Sequence, residues 1–100
     1  MAQRGQITDN ILMVSRQKLG REISLAELRL MPYLQHIMVN NQKFDYHRLC
    51  KHEIAIIEHW DELDWISMVD PDQIWISKYF WDFISEAMWL AYVNYRTEVV

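Results

Sequence analysis

The residues best suited to chemistry in this sequence are one cysteine and two histidines in the segment "DYHRLCKHE". His47, Cys50 and His52 lie within six residues of one another, and Asp45 is close by. Thiolate and imidazole groups are zinc ligands, and the spacing of His47 and Cys50 suits one face of a helix. Structural zinc sites use four ligands, however, commonly from paired Cys or His motifs, and Cys50 is the only cysteine. We therefore expect no metal and no cofactor.

No catalytic motif is evident elsewhere in the chain. The stretch "HEIAIIEH" begins like the HExxH motif of zinc proteases, but the fourth residue after His52 is Ile56. His52 and His59 are seven residues apart, two turns along one helix face, and two solvated histidines are the simplest interpretation. The chain has two glycines and contains neither GxGxxG nor GxxxxGK[ST], which excludes a glycine-rich phosphate loop. We predict that the protein is not an enzyme.

The N-terminal half carries the cations that could contact nucleic acid or an acidic partner. Residues 1–52 hold eight Lys/Arg and four Asp/Glu, whereas residues 53–100 hold two and ten, which gives the whole chain a net charge of −4. Lysine and arginine bind phosphates. The candidates for such contacts are Arg16, Lys18, Arg21 and Arg29. The two halves could also attract each other within one chain or between copies, or be solvated helix faces that differ in sign.

The segment "SKYFWDFISEAMWLAYVNY" has more apolar surface than one buried helix face needs. One stripe at helical spacing consists of Phe80, Phe83, Ile84, Ala87, Ala91 and Tyr95. A second stripe supplies the candidate partner-binding residues Trp81, Met88, Trp89 and Tyr92. A domain of 100 residues has room for one core. Either the bundle encircles this helix, or the second stripe is partly exposed until a partner or another copy covers it; we predict the second arrangement.

Helix-start and helix-stop signals define two N-terminal helices. Thr8 or a polar residue after it can cap the first helix, and Gly20 is a typical C-terminal stop. In "SLAEL", Ser24 and Glu27 form a capping box that begins the second helix. Pro32 lies inside this second helix, where it removes a hydrogen bond and clashes with the preceding turn. We expect the helix to kink or end at Pro32.

The rest of the chain contains a third helix, two segments with the residue types of β-strands, and the last helix. Asp45 can begin a short turn through Arg48, and a third helix follows from about Lys51 to Leu63. The segments "DWISMV" and "QIWIS" are β-branched and aromatic, and "DPD" between them favours a turn. They predict a β-hairpin with strands near 65–69 and 73–77. Ser77 then caps the last helix.

These elements predict a mainly α single domain over residues 1–100. It is a small bundle of four to five helices with one β-hairpin at about 65–77 before a long C-terminal aromatic helix. Trp60, Phe80 and Phe83 are expected in its core. The order of elements loosely resembles that of winged-helix proteins. We expect a cytoplasmic protein without membrane contact. The single cysteine fits a reducing compartment, and the polar first residues give no sign of a secretory signal. No apolar run approaches the roughly 18 residues that span a bilayer.

The function that best suits these features is non-catalytic protein–protein interaction. Five Trp and five Tyr exceed what one small core needs, and such residues dominate interface hot spots. A small phage- or plasmid-encoded accessory protein that modulates or inhibits a larger host protein would fit, with a homodimer as the simplest assembly. The alternative is a winged-helix-like DNA-binding transcriptional regulator that uses the basic N-terminal half. The acidic residues of its wing, Asp64, Asp70 and Asp72, make nucleic acid the less favoured partner.

Overall fold

The computed structural model describes residues 5–40, 42–70 and 73–93. Four α-helices and one β-hairpin follow one another along these residues: α1 (Asp9–Leu19), α2 (Leu25–Val39), a 3-10 turn (Tyr46–Arg48), α3 (Lys51–Glu62), β1 (Ile66–Asp70), β2 (Gln73–Ile76) and α4 (Lys78–Met88). A π-helical turn, Trp89–Val93, extends α4. The predicted architecture, mainly α with a hairpin before an aromatic C-terminal helix, is confirmed.

Local capping chemistry sets where the helices begin and end. The side chains of Thr8, Ser24 and Ser77 each accept a hydrogen bond from the amide three residues on, which satisfies a free N–H of the first turn. The carboxylate of Glu27 accepts in return from the Ser24 amide and completes the predicted capping box. Gly20 ends α1 in the left-handed conformation, with φ of 78°.

α2 continues through Pro32 as one helix, so the expected break is wrong, whereas the alternative of a kink stays a prediction. Proline cannot donate to the carbonyl of Leu28, and that missing hydrogen bond weakens the helix. Leu28, Met31 and Leu34, on either side of the proline, are all fully buried. Burial of three large side chains on one face outweighs one lost hydrogen bond, which is how tertiary packing overrides local propensity.

The core surrounds one face of α4. The predicted core residues Trp60, Phe80 and Phe83 are fully buried, which confirms their assignment. The ring of Phe80 is at the centre of this aromatic cluster: its centroid lies 5.0 Å from that of Trp60, edge to face, and 6.3 Å from that of Phe83, stacked. α1 and α2 both pack against α4, and α3 packs against α2. Tyr95, the last member of the predicted stripe, lies outside the described residues.

α3 has nearly the predicted bounds, and its last predicted residue lies in the turn that follows. Ile57 and Trp60 are fully buried, whereas Leu63 is 39% exposed. The helix ends at Glu62 and the chain turns at Asp64, whose φ is 61°. Leu63 is therefore part of the turn and not of the helical stripe.

The hairpin is antiparallel and lies where the sequence predicts it. Ile66 pairs with Ile76 and Met68 with Ile74, and the register shifts between Met68 and Asp70. Ile66 and Ile74 are buried with the helical core. A two-stranded ribbon is marginal by itself, so this burial is what stabilises it.

The N-terminal segment closes over the end of the last helix. The Gly5 amide donates to the carbonyl of Ala91 at 2.8 Å. Gly5 has a φ of 74°, and a Cβ there would lie 3.2 Å from the ring of Tyr92. Only glycine adopts this conformation without strain and permits such close approach. Within residues 5–40, 42–70 and 73–93, no helix combines the length and apolar character that crossing a membrane requires.

Candidate protein-interaction surface

Two apolar hollows lie along the line where α2 packs against α4, and we call their lining residues the α2/α4 face. The first hollow, about 410 Å³, is lined by Pro32, Gln35, Ser85, Met88, Trp89, Tyr92 and Val93. The second, about 380 Å³, is lined by Met38, Val39, Ile76, Lys78 and Trp81. Both hollows are formed mainly by α2 and α4, so the α2/α4 face is a strip of surface along these two helices.

This strip exposes large apolar side chains to water. Val39 is 69% exposed, Val93 59% and Trp89 55%. Among the described residues, Lys78 is the one charged residue that lines either hollow. Single exposed apolar residues are ordinary on protein surfaces, but several together on a strip with few charges are typical of interaction surfaces.

The four candidate partner-binding residues all lie on the α2/α4 face, in two groups. Met88, Trp89 and Tyr92 line the first hollow and Trp81 the second. Trp89 is exposed, and Trp81 and Tyr92 are half-buried. Met88 departs from the expected partial exposure, because it is only 8% exposed and belongs to the core. α2 packs against that side of α4, so Met88 forms part of the floor of the hollow.

The contribution of α2 to this face is absent from the sequence-based prediction. Pro32, Gln35 and Val39 follow one another at spacings of three and four, which places them on one row of the helix. The apolar ends of that row, Pro32 and Val39, are a signal that could have identified it.

Three of the four candidate nucleic-acid contacts pair with carboxylates. Arg16 of α1 pairs with Glu22, and the Lys18 ammonium lies 3.3 Å from the Glu86 carboxylate of α4. Arg29 is exposed on α2. Exposed pairs such as the first two contribute little to stability, but they reduce the positive charge available to a phosphate backbone.

Arg21, the fourth candidate, belongs to a structural network. Its two terminal nitrogens donate to the two carboxylate oxygens of Glu27 at 2.9 and 2.8 Å. Glu27 is 6% exposed and also accepts from the Ser24 amide at 3.0 Å and from Trp60 Nε1 at 2.8 Å. The Arg21 guanidinium lies 5.1 Å above the ring of Trp65. The network links the start of α2 to α3 and to the approach to β1.

Two opposing effects act on the pKa of Glu27. Burial raises the pKa of this carboxyl, because it disfavours the charged form. Hydrogen bonds from Arg21, the Ser24 amide and Trp60 stabilise the carboxylate and outweigh burial, so the pKa is lowered. The hydrogen bond with Glu27 likewise raises the pKa of Arg21. The pair is therefore ionised at neutral pH.

The histidines and the cysteine near the start of α3 lie on the surface. His47, Cys50 and His52 are all exposed. Among the described residues, no three His, Cys, Asp or Glu side chains are placed so that they could hold a metal ion. The Cys50 amide donates to the Glu53 carboxylate at 3.0 Å, so this segment begins α3.

A cleft of about 860 Å³ lies between α2 and the 42–48 segment. Tyr33 and Phe44 line it, and their rings stack on each other at 6.0 Å. The Tyr33 hydroxyl accepts from the Asp45 amide at 3.3 Å, which holds the segment against α2. Phe44 is 2% exposed. The Tyr33–Phe44 pair therefore holds the 42–48 segment against α2, and it leaves little aromatic surface exposed to a ligand.

Comparison with known proteins yields no match. The chain matches no protein-family model, no curated protein and no solved structure. The functional inference therefore depends on the geometry of the α2/α4 face.

Proposed function

We propose that the protein is a non-catalytic protein–protein interaction module that docks through the α2/α4 face. In this role it is a small accessory protein that modulates a larger one. The observation that supports the proposal is the exposure of Trp89, Val39 and Val93 around two apolar hollows. Tryptophan with a pocket beside it is typical of the anchor residues that dominate binding energy.

The chemistry of the face also suits docking. Burial of apolar side chains drives association, and a surface with few charges incurs little desolvation cost. Ser85 and Gln35 are the polar, uncharged members of the first hollow and can hydrogen-bond across an interface. A partner that fills both hollows would cover the exposed apolar side chains at once.

We expect Trp89→Glu to weaken partner binding at least about 30-fold while the fold is retained. Trp89 is 55% exposed, so a carboxylate is tolerated in the free protein but must be desolvated in the interface. The measurement is a pull-down from nuclease-treated native lysate, followed by titration of the purified partner. Trp75→Glu is the matched control, because Trp75 is 53% exposed but lies on β2, outside the α2/α4 face. Equal losses in both variants, or none in either, would contradict the proposal.

A DNA-binding regulator is the alternative function, and we predict that DNA is not the main ligand. α3 precedes the hairpin as a recognition helix precedes a wing, yet it exposes Glu58, Asp61 and Glu62. In a mobility-shift assay with random duplex at low salt, we expect weak non-specific binding at most. Sub-micromolar affinity that falls steeply with added salt would instead support the regulator.

A further inference from the structure

We propose that the partner on the α2/α4 face is a second copy of this chain, packed around a two-fold axis at Ser85. In this arrangement Trp89 of each copy enters the second hollow of the other, beside Trp81 and Val39. The inference depends on the proposed function, since it uses the same face, and it names a second copy in place of a larger protein as what covers that face.

The spacing of three residues on α4 carries the argument. Trp81, Ser85 and Trp89 are four residues apart, so they form one row, and the Trp89 amide donates to the Ser85 carbonyl one turn below. Each tryptophan lies about 6 Å along the helix axis from Ser85. When two antiparallel copies cross at Ser85, position 89 of one faces position 81 of the other. The exposed Trp89 side chain and the second hollow, at Trp81, are thus equally far from Ser85. A self-complementary two-fold contact requires such equal distances.

The centre of the strip permits close approach. Ser85 is small and exposed, and Gln35 on the neighbouring helix is uncharged. A small residue at the crossing point lets the larger side chains on either side interdigitate. Two serines and two glutamines at the centre can satisfy one another by hydrogen bonds.

The charge of Lys78 is compatible with this arrangement. Among the described residues that line the hollows, Lys78 is the one that is charged, and it pairs with Asp82 of its own helix at 3.3 Å. In antiparallel copies centred on Ser85, the two Lys78 side chains lie about 21 Å apart. That separation exceeds the screening length of roughly 8–10 Å at ordinary ionic strength, so the two ammonium groups do not repel each other strongly.

The size of the face also suits a dimer. The strip from Lys78 to Val93 is about 24 Å long, and two packed helices are about 20 Å wide. A footprint of this size corresponds to the lower end of stable interfaces, about 1,200 Å² of buried surface in total. Such a contact is expected to form at micromolar protein concentrations and to depend on a few anchors.

Sedimentation velocity over a range of concentrations tests the proposal. We expect the wild type to be dimeric at high micromolar concentration. Trp89→Glu and Val39→Glu are each expected to weaken the dimer at least about 30-fold, and Trp75→Glu to leave it unchanged. Circular dichroism of each variant establishes that it is folded. A wild type that stays monomeric, or a dimer insensitive to both face variants, overturns the proposal.

A cysteine crosslink tests the position of the axis. In a Cys50→Ser background, Ser85→Cys should form a covalent dimer on mild oxidation, because only an axis near residue 85 brings the two thiols within disulfide distance. Ser67→Cys, exposed on β1, is the control that should stay uncrosslinked. A dimer that Ser85→Cys does not crosslink overturns this arrangement. If the chain is monomeric but Trp89→Glu still loses a different protein partner, the proposed function holds and the second-copy proposal fails.

Discussion

Replacing Phe83 by alanine is expected to lower the free energy of unfolding by about 3–5 kcal/mol. The ring is fully buried and stacks on Phe80 in the aromatic cluster that joins α4 to α3. Truncation removes the transfer free energy of the ring and leaves a cavity that its packed neighbours fill only in part. Urea denaturation should show a lower midpoint with an unchanged slope, because the surface exposed on unfolding stays nearly the same.

Trp75→Ala is the control for this experiment. Trp75 is also a large aromatic residue, but it is 53% exposed on β2, so its loss should cost less than about 1 kcal/mol. Small domains are stable by only about 5–15 kcal/mol, which makes the difference between the two variants easy to measure. A loss below about 1 kcal/mol for Phe83→Ala would show that the stripe of α4 is assigned to the wrong face.

The elements of the fold could be predicted because their boundaries depend on local chemistry. A serine or threonine side chain reaches an amide three residues on, and a glycine adopts the left-handed conformation, whatever the rest of the chain does. Thr8, Gly20, Ser24 and Ser77 therefore identify their helix ends from the sequence alone. The hairpin is equally local, since β-branched segments on either side of a turn specify it.

Pro32 shows where local reasoning fails. Proline favours a helix end by sterics and by the missing donor. Its neighbours Leu28, Met31 and Leu34 contact helices that are distant in sequence, and their burial depends on the assembled core. The helical spacing of these three residues indicates one buried face, but how strongly its burial stabilises the helix depends on the assembled core, so the continuity of the helix could not be inferred.

The candidate site could be predicted only in part for a similar reason. The row on α4 follows from helical spacing, and the structure places Trp81, Trp89 and Tyr92 on one face. Met88 and Trp89 are adjacent in sequence, yet one is 8% and the other 55% exposed. Which of them is covered depends on where α2 packs, and that is a property of the tertiary structure.

Arg21 illustrates the same limit for charges. A cation between two helices suggests a phosphate contact, but Arg21 is bound to Glu27, and Glu27 in turn to Trp60, which is 33 residues further along the chain. The capping box identifies Glu27 as the partner of Ser24 and gives no sign of the other two contacts. The contribution of the Arg21–Glu27–Trp60 network to stability therefore has to be measured by substitution of Glu27.

We expect Glu27→Gln to lower the free energy of unfolding by about 2–3 kcal/mol at neutral pH. Glutamine keeps the shape of the side chain but has only one acceptor oxygen, whereas the carboxylate accepts from Arg21, Ser24 and Trp60. At least one buried donor must lose its partner, and Arg21 loses the charge that neutralises it. The expected value lies below that of a fully buried ion pair because Arg21 is 35% exposed.

The dependence of this effect on pH distinguishes the network from a simple packing change. The folded-state pKa of Glu27 lies below its ordinary value of 4.5, so the carboxylate stabilises the fold fully above that pH and less as the pH falls through the folded-state pKa. The difference in stability between wild type and Glu27→Gln should therefore be constant near neutrality and shrink in acid. Glu22→Gln is the matched control, because its pair with Arg16 is about half exposed and should contribute less than about 1 kcal/mol. Equal effects of the two substitutions, or a Glu27→Gln effect that does not change down to acid pH, would mean that Glu27 contributes by its shape and not by its charge.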